Sequence, residues 1–260
     1  MTGTRSSWDL RLLGFWQLRL NGQPQSVGAR QQQLIAALAL LGARPRHALS
    51  GVLWPESSEE QASTSLRAVL FRISHELPRL LADSRDPVAL AAGVRTDIGG
   101  VRRLIDHIAR LGIEPPHSAA EVLRNAELLP GWYDDWVMYE QERLQQQRMA
   151  ALETLAARYL TQGNHVHALE AARASAAIEP LRESAQLMIV RSYLAADDRV
   201  SAMRVFRDFR ARLADELGVA PSPRFEVMLH TSAASDSIRR TPLVAGVLTP
   251  LRFQPGKRHP

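Results

Sequence analysis

The chain has 260 residues, 45% of them hydrophobic, and a formal net charge of +5. This length suffices for two globular domains with buried cores. We expect neither a membrane span nor a secretory signal, because the sequence has no run of eighteen apolar residues and residues 1–8 hold no apolar stretch. The absence of cysteine excludes disulfides, thiolate metal sites and thiol nucleophiles, and is typical of a cytoplasmic protein.

Charge is unevenly spread along the chain. Residues 1–110 hold fourteen arginines against nine acidic residues, whereas residues 121–230 hold thirteen arginines against sixteen acidic residues. A basic module attracts the phosphate backbone of nucleic acid, and an acidic one is repelled by it. Any nucleic-acid contact should therefore come from residues 1–110. The alternative is that these residues form a basic surface that binds no partner.

The first elements predict a small antiparallel sheet. Residues 10–14 and 15–20 mix apolar and polar side chains in short runs, and Asn21-Gly22 is a strong hairpin signal because both residues tolerate positive φ. We expect two or three strands.

Three helices are predicted after the sheet. The first covers residues 30–41 and stops at Gly42, and the second covers residues 48–54 and stops at Pro55. The third follows a polar start at residues 56–61 and runs to about Leu81. Its buried stripe is Leu66, Leu70, Ile73 and Leu77.

A hairpin should follow the third helix. Asp86-Pro87 precedes an apolar segment, residues 88–92, and Gly93 separates that segment from residues 94–97. Strands, three helices and a hairpin form the order of a winged helix, whose last helix enters the major groove while the wing touches the backbone.

The exposed side of the third helix supplies the candidate DNA contacts. It carries Thr64, Arg67, Phe71, Arg72 and His75. Arg67 and Arg72 are the leading contacts, because arginine either pairs with guanine or holds a phosphate. Arg85 and Arg95 are expected near the wing. The alternative is that these are solvated arginines on an amphipathic helix.

After a further helix over residues 100–111, Pro115-Pro116 marks the predicted domain boundary. Ser118 and Glu121 form a capping-box pattern that predicts a helix to Leu128. Five more helices are expected over residues 134–162, 165–179, 181–196, 200–217 and 223–232. The predicted domains are 8–112, 117–235 and a flexible basic tail over 236–260.

A repeat of 34 residues occurs in the helical part. The residues related by this spacing are Leu155 and Ile189, Ala156 and Val190, Tyr159 and Tyr193, Ala168 and Ala202, and Ala172 and Phe206. This is the period of tetratricopeptide (TPR) repeats, in which paired helices stack to bury a shared apolar face. The spacing indicates a binding scaffold.

Other candidate chemistry is sparse. His165 and His167 are separated by about 200° on a helix and cannot share a metal ion. The acidic pairs Asp134-Asp135 and Asp197-Asp198 are explained by helix capping and the helix dipole. No phosphate-binding glycine loop occurs. We therefore expect no cofactor, no metal and no enzymatic activity.

An aromatic cluster lies near the start of the long helix. Its members are Trp132, Tyr133, Trp136 and Tyr139. Core packing is the expected role, and a peptide or polymerase contact is the alternative.

Several motifs in the helical part resemble the bacterial transcriptional activator domain. They are residues 152–156, Gly163-Asn164, residues 168–171, residues 180–183 and residues 213–221. The N-terminal part of the chain resembles an OmpR-type winged helix in residues 10–14, Leu53-Trp54-Pro55 and Leu66-Arg67. Together they resemble the antibiotic-regulatory-protein (SARP) family of activators over residues 10–229.

The resemblance implies a mostly α protein, with an N-terminal α+β winged-helix domain followed by an all-α TPR-like domain. It implies a transcriptional activator that binds repeated sites in double-stranded promoter DNA and helps to recruit RNA polymerase. The helical domain is expected to contact RNA polymerase or a second copy of the chain, so a homodimer is a possible assembly. The alternative function is a TPR-like adaptor whose winged helix is vestigial or binds protein.

Overall fold

The computed structural model describes residues 7–110 and 115–239, with side chains described to residue 231. Four short strands and ten helices occur in these ranges. The strands are β1 (Trp8–Arg11), β2 (Gln17–Leu20), β3 (Gln23–Pro24) and β4 (Arg95–Thr96). The helices are α1 (Ala29–Leu41), α2 (Arg46–Leu53), α3 (Glu59–Glu76), α4 (Asp97–Ala109), α5 (Ala119–Arg124), α6 (Asp135–Thr161), α7 (His165–Ile178), α8 (Glu183–Ala195), α9 (Arg199–Leu217) and α10 (Arg224–Arg239).

The N-terminal sheet has the strand order β3-β2-β1-β4. β1 and β2 pair antiparallel, with Leu10 opposite Leu18, and both of these side chains are buried. Asn21 and Gly22 have φ of 50° and 83° and join β2 to β3, which confirms the predicted hairpin. One face of this sheet thus contributes to the core.

Three helices follow the sheet as predicted, and their buried side chains share one cluster with those of the sheet. α1 ends at Gly42, whose φ of 76° is readily adopted only by glycine. α3 begins with a capping box, in which the Ser58 hydroxyl accepts from the Gln61 amide and the Gln61 side chain accepts from the Ser58 amide. α3 is shorter than predicted and ends at Glu76.

The predicted pairing of residues 88–92 with residues 94–97 is wrong. Leu81 instead bridges to Leu90, and Val88 bridges to Arg44 ahead of α2. The hairpin after α3 therefore has its tip at residues 83–87. Residues 95–96 form β4, which pairs parallel with β1.

The C-terminal part is a stack of helix pairs. α6 packs on α7, and α8 packs on α9. Of the ten residues in the 34-residue repeat, nine are buried and Tyr193 is half-buried, so the spacing marks positions that face the interior of the helix stack. They are divided between two neighbouring clusters of buried residues, and Tyr193 packs against both. Gly163 and Gly218, with φ of 73° and 70°, end α6 and α9.

Two helix boundaries differ from the predictions. α5 ends at Arg124 rather than Leu128, and its N-cap residue Ser118 makes no capping hydrogen bond, so the predicted capping box does not form. α10 continues to Arg239, so the first four residues of the predicted tail are helical. The rest of that tail, residues 240–260, lies outside the described residues.

The two halves are joined by backbone hydrogen bonds. The Gly14 amide donates to the Glu127 carbonyl at 2.8 Å, and the Leu129 amide donates to the Leu12 carbonyl at 2.8 Å. One continuous cluster of buried side chains runs from β1 into α8. The segment before α6 is thus fastened to the segment that follows β1.

Side chains add a second set of links between the halves. Arg102 on α4 donates to the Leu40 carbonyl of α1 and pairs with Glu140 on α6. Arg158 on α6 donates to the Ile108 carbonyl near the end of α4 at 2.7 Å. Among the described residues, none of the helices combines the length and the hydrophobicity that a transmembrane span requires.

Candidate nucleic-acid interface

α3 has one buried face and one exposed face. Leu66, Leu70, Ile73 and Leu77 are all buried, at 7% exposure or less, as the periodicity predicted. The opposite face carries the five candidate contact residues, all of them exposed: Thr64, Arg67, Phe71, Arg72 and His75. Because α1 and α2 pack on the buried side, α3 presents a polar and aromatic face to solvent.

The side chains on this exposed face differ in how firmly they are held. Arg67 donates to the Ser63 hydroxyl at 3.2 Å, one turn away on the same helix. The Phe71 and His75 rings lie 4.0 Å apart between centroids, and His75 Nδ1 lies 2.9 Å from the Phe71 carbonyl oxygen. Phe71 is 64% exposed, more than any other phenylalanine among the described residues.

The hairpin tip is fastened to the start of α2. The Asp86 carboxylate accepts from the Arg46 backbone amide at 3.0 Å, and the Arg46 guanidinium donates through Nε to the Arg85 carbonyl at 3.0 Å. Arg44 and Val88 exchange both backbone hydrogen bonds. Arg85 is exposed at this tip.

Sequence reasoning missed Arg44, Arg46 and Arg79, which are all exposed. Arg46, Arg79 and Arg85 line a cleft of about 350 Å³ between the end of α3 and the hairpin. The sequence Arg44-Pro45-Arg46-His47 ahead of α2 was the available signal for two of them. These residues extend the basic surface beyond α3.

Arg95 does not lie on this hairpin, so its predicted position near the wing is wrong. It lies on β4, where its Nε and Nη2 donate to the two carboxylate oxygens of Asp9 at 2.7 and 2.9 Å. This bidentate bond raises the pKa of the Arg95 guanidinium, and the nearby negative charge acts in the same direction. Arg95 therefore already has an anionic partner within the sheet.

The aromatic cluster at the start of α6 is only partly in the core. Trp132 and Trp136 are half-buried and pack against the main cluster, as predicted. Tyr133 and Tyr139 are 79% and 67% exposed, so the prediction of core packing is wrong for the two tyrosines. They are available for a contact with another molecule.

The other candidate sites have structural roles. The Asp198 carboxylate accepts from the Ser201 amide at 3.0 Å as the cap of α9, which confirms its predicted role. Hydrogen bonding from Ser201 lowers the pKa of Asp198. Asp134 is the N-cap of α6 but makes no capping hydrogen bond, and its carboxylate accepts from Gln33 of α1. His167 contacts Asn164 and the Tyr159 ring. Within residues 7–110 and 115–239, no group of three or more metal-ligating side chains is found.

Comparison with known proteins identifies the helical half. Residues 109–231 match the bacterial transcriptional activator domain. The regulatory protein AfsR of Streptomyces coelicolor is 31% identical over 218 residues, which cover 78% of this chain and 22% of AfsR. AfsR of Streptomyces griseus is 26% identical over 221 residues and is likewise covered to 22%. The chain thus spans about a fifth of the length of these two relatives.

Two mycobacterial proteins match over most of the chain. The transcriptional regulatory protein MoaR1 of Mycobacterium tuberculosis is 23% identical over 254 residues, which cover 87% of this chain and 79% of MoaR1. A solved structure of Mycobacterium tuberculosis EmbR, in complex with a low-affinity phosphopeptide, superposes with a TM-score of 0.64 at 21% identity. This likeness covers 89% of the chain and 66% of EmbR, and it supports the fold of a winged helix followed by a helical domain. Residues 109–231 thus match a bacterial transcriptional activator domain, and the chain as a whole is similar to the regulatory proteins AfsR and MoaR1.

Proposed function

We propose that this protein activates transcription by binding repeated sites in double-stranded promoter DNA through α3. The observation that carries the proposal is the exposed face of α3, where Arg67 and Arg72 stand opposite a fully buried leucine and isoleucine stripe. A helix of this kind fits the major groove of B-form DNA, which is about 12 Å wide. The names of the AfsR and MoaR1 relatives support a regulatory role.

The basic residues around α3 have distinct roles in this proposal. Arg67 and Arg72 reach base edges or adjacent phosphates from the helix, and Arg85 reaches the backbone from the hairpin tip. Arg46 and Arg79, beside that tip, lie where a second phosphate contact is expected. Arg95 contributes less, because its guanidinium is already paired with Asp9 and lies away from the hairpin.

We propose that residues 8–112 and 117–235 form two domains and that the second domain binds protein. We propose that it contacts RNA polymerase or a second copy of the chain. Exposed Tyr133 and Tyr139 support this assignment, because tyrosine is enriched at protein interfaces. Transcription reconstituted with purified polymerase should depend on both tyrosines, while duplex binding should not.

In vitro selection from random duplexes, followed by binding assays on the selected sequence, tests the DNA-binding half. The double variant Arg67→Ala/Arg72→Ala should lose sequence-specific retention with helical content unchanged. If both side chains hold phosphates, the slope of log K against log salt should fall by about 0.9 for each. Equal retention by the double variant and the wild type would exclude this site.

A matched control is available on α9. Arg207 and Arg212 have the same spacing of five residues and are also exposed. The variant Arg207→Ala/Arg212→Ala removes the same net charge from the acidic half, so it should bind the selected duplex like the wild type. A comparable loss in this control would mean that general charge, and not α3, governs binding.

A TPR-like adaptor is the second candidate function. It is favoured by an apolar groove of about 760 Å³ between α8 and α10, lined by Leu194, Val227 and Met228 among others. Genomic footprinting in cells separates the two functions, because an adaptor leaves no sequence-specific footprint.

A further inference from the structure

Phe71 occupies the middle of the exposed face of α3. It follows Arg67 by one turn and precedes His75 by one turn, so the three side chains form a row along the helix. Arg72 stands next to this row. An aromatic ring that is 64% exposed contributes little to the core, since Leu70 and Ile73 already fill the buried side.

The Phe71 ring contacts a neighbouring side chain in the free protein. Its ring packs against His75 with a centroid separation of 4.0 Å and an interplanar angle of 37°. His75 is held in turn by the contact of its Nδ1 with the Phe71 carbonyl oxygen at 2.9 Å. A pre-positioned apolar group loses less side-chain entropy on binding than a free one.

The major groove offers one apolar group to such a ring. Guanine, cytosine and adenine present hydrogen-bond donors and acceptors there, whereas thymine also presents its C5 methyl group. Phenylalanine is one of the side chains that pack on this methyl group. Arg67 and Arg72, beside Phe71, would bind the hydrogen-bonding groups of neighbouring bases or the phosphates next to this methyl group.

Resting on the proposed DNA-binding function, we propose that Phe71 is a specificity-determining residue that reads the C5 methyl group of a thymine. The bound site should then contain an A·T pair opposite the middle of α3, with its thymine methyl covered by the Phe71 ring. Arg67 and Arg72 anchor the helix on either side of that pair.

The test removes the methyl group alone. Duplexes of the selected sequence are prepared with each thymine replaced singly by deoxyuridine, which keeps base pairing and all hydrogen-bonding groups. Wild-type affinity should fall about four-fold at one thymine in each half-site, the change expected for exposing one buried methyl-sized group. Other thymines, including those flanking the site, should tolerate the replacement within the error of the assay.

Variants of Phe71 complete the test. Phe71→Ala should bind the thymine and deoxyuridine duplexes equally, and Phe71→Leu should keep part of the difference because it keeps an apolar contact. Val166→Ala is the matched control, because Val166 is an exposed apolar residue on α7, at 76% exposure. It should retain the full four-fold preference.

The outcomes separate this proposal from the function on which it rests. Specific binding by the wild type with no thymine sensitive to deoxyuridine would overturn the role of Phe71 and leave DNA binding intact. A deoxyuridine effect that persists in Phe71→Ala would also overturn it. Failure to select any sequence would refute the proposed function itself, and the role of Phe71 with it.

Discussion

Glu140 joins the two halves of the molecule, and its removal should weaken that junction. Its side chain is 4% exposed and accepts from Arg102 at 3.4 Å and from Arg143 at 3.3 Å. Arg102 also donates to the Leu40 carbonyl, so the cluster connects α1, α4 and α6. Glu140→Ala should therefore loosen the packing of the helical array on the N-terminal half.

The magnitude follows from the exposure of the two arginines. Their side chains are 37% and 54% exposed, so solvent screens both pairs and neither is worth as much as a buried ion pair. Each contact should contribute about 1 kcal/mol, for a total of about 2 kcal/mol in the free energy of unfolding. For a chain of this size this corresponds to a fall of about 4–8 °C in Tm.

Thermal unfolding followed by circular dichroism measures this effect. Glu142→Ala is the control, because Glu142 is exposed on the same helix and makes no ion pair among the described residues. Glu140→Gln separates charge from volume and should recover only part of the loss. In a double-mutant cycle, Arg102→Ala and Glu140→Ala should be less than additive. Equal Tm values for the Glu140→Ala and Glu142→Ala variants would refute the reasoning.

Three further predictions concern local stability, and each is checked by thermal or urea unfolding. Gly218→Ala should cost about 1 kcal/mol, because φ is 70° at the end of α9, whereas Gly51→Ala inside α2 should stabilise by a few tenths to about 1 kcal/mol. The reverse order of the two would contradict the backbone argument. Arg148→Met should cost about 2 kcal/mol, because the buried guanidinium, whose pKa is lowered by burial, donates to the Leu123 and Arg124 carbonyls at the end of α5. The exposed neighbour Gln147→Met should have little effect, and similar losses in both would count against the role of Arg148. Asp198→Asn should lower Tm at neutral pH, where the ionised Asp198 carboxylate stabilises the fold. The difference in Tm between the variant and the wild type should shrink as the pH falls through the lowered pKa of Asp198, because the protonated carboxyl no longer contributes this stability. A difference that does not change with pH would show that the charge of Asp198 is unimportant.

The helices with a regular apolar spacing could be predicted from the sequence, because the residues that form each buried stripe lie close together in the chain. The stripe from Leu66 to Leu77 and the repeated pairs from Leu155 to Phe206 each depend on spacing within one helix or one helix pair. Helix ends marked by Gly42, Gly163 and Gly218 were predictable for the same reason. These features follow from backbone preferences and burial alone.

The errors arose where distant contacts decide the structure. β4 pairs with β1, more than 80 residues earlier, so local pattern could not place Arg95 beside Asp9. The tip at residues 83–87 likewise depends on the bridge between Val88 and Arg44. Ser118 has the spacing of a capping box, but its backbone conformation prevents the bond.

The candidate interface was predictable in part. The exposed face of α3 follows from its buried stripe, whereas the contribution of Arg46 and Arg79 depends on how the hairpin folds back toward α2. Trp132 and Trp136 pack against the core, whereas Tyr133 and Tyr139 are exposed, and this difference depends on how the start of α6 packs against the rest of the fold. Sequence periodicity carries no information on either arrangement.

Site-specific photocrosslinking to the selected duplex tests the central claim most directly. A benzophenone amino acid is placed at Thr64 or His75 on the exposed face of α3, and at Val166 on α7 as the control. All three positions are exposed. The account predicts crosslinks to DNA from the two α3 positions and none from α7. Crosslinks from α7 alone, or equal yields from all three positions, would contradict it.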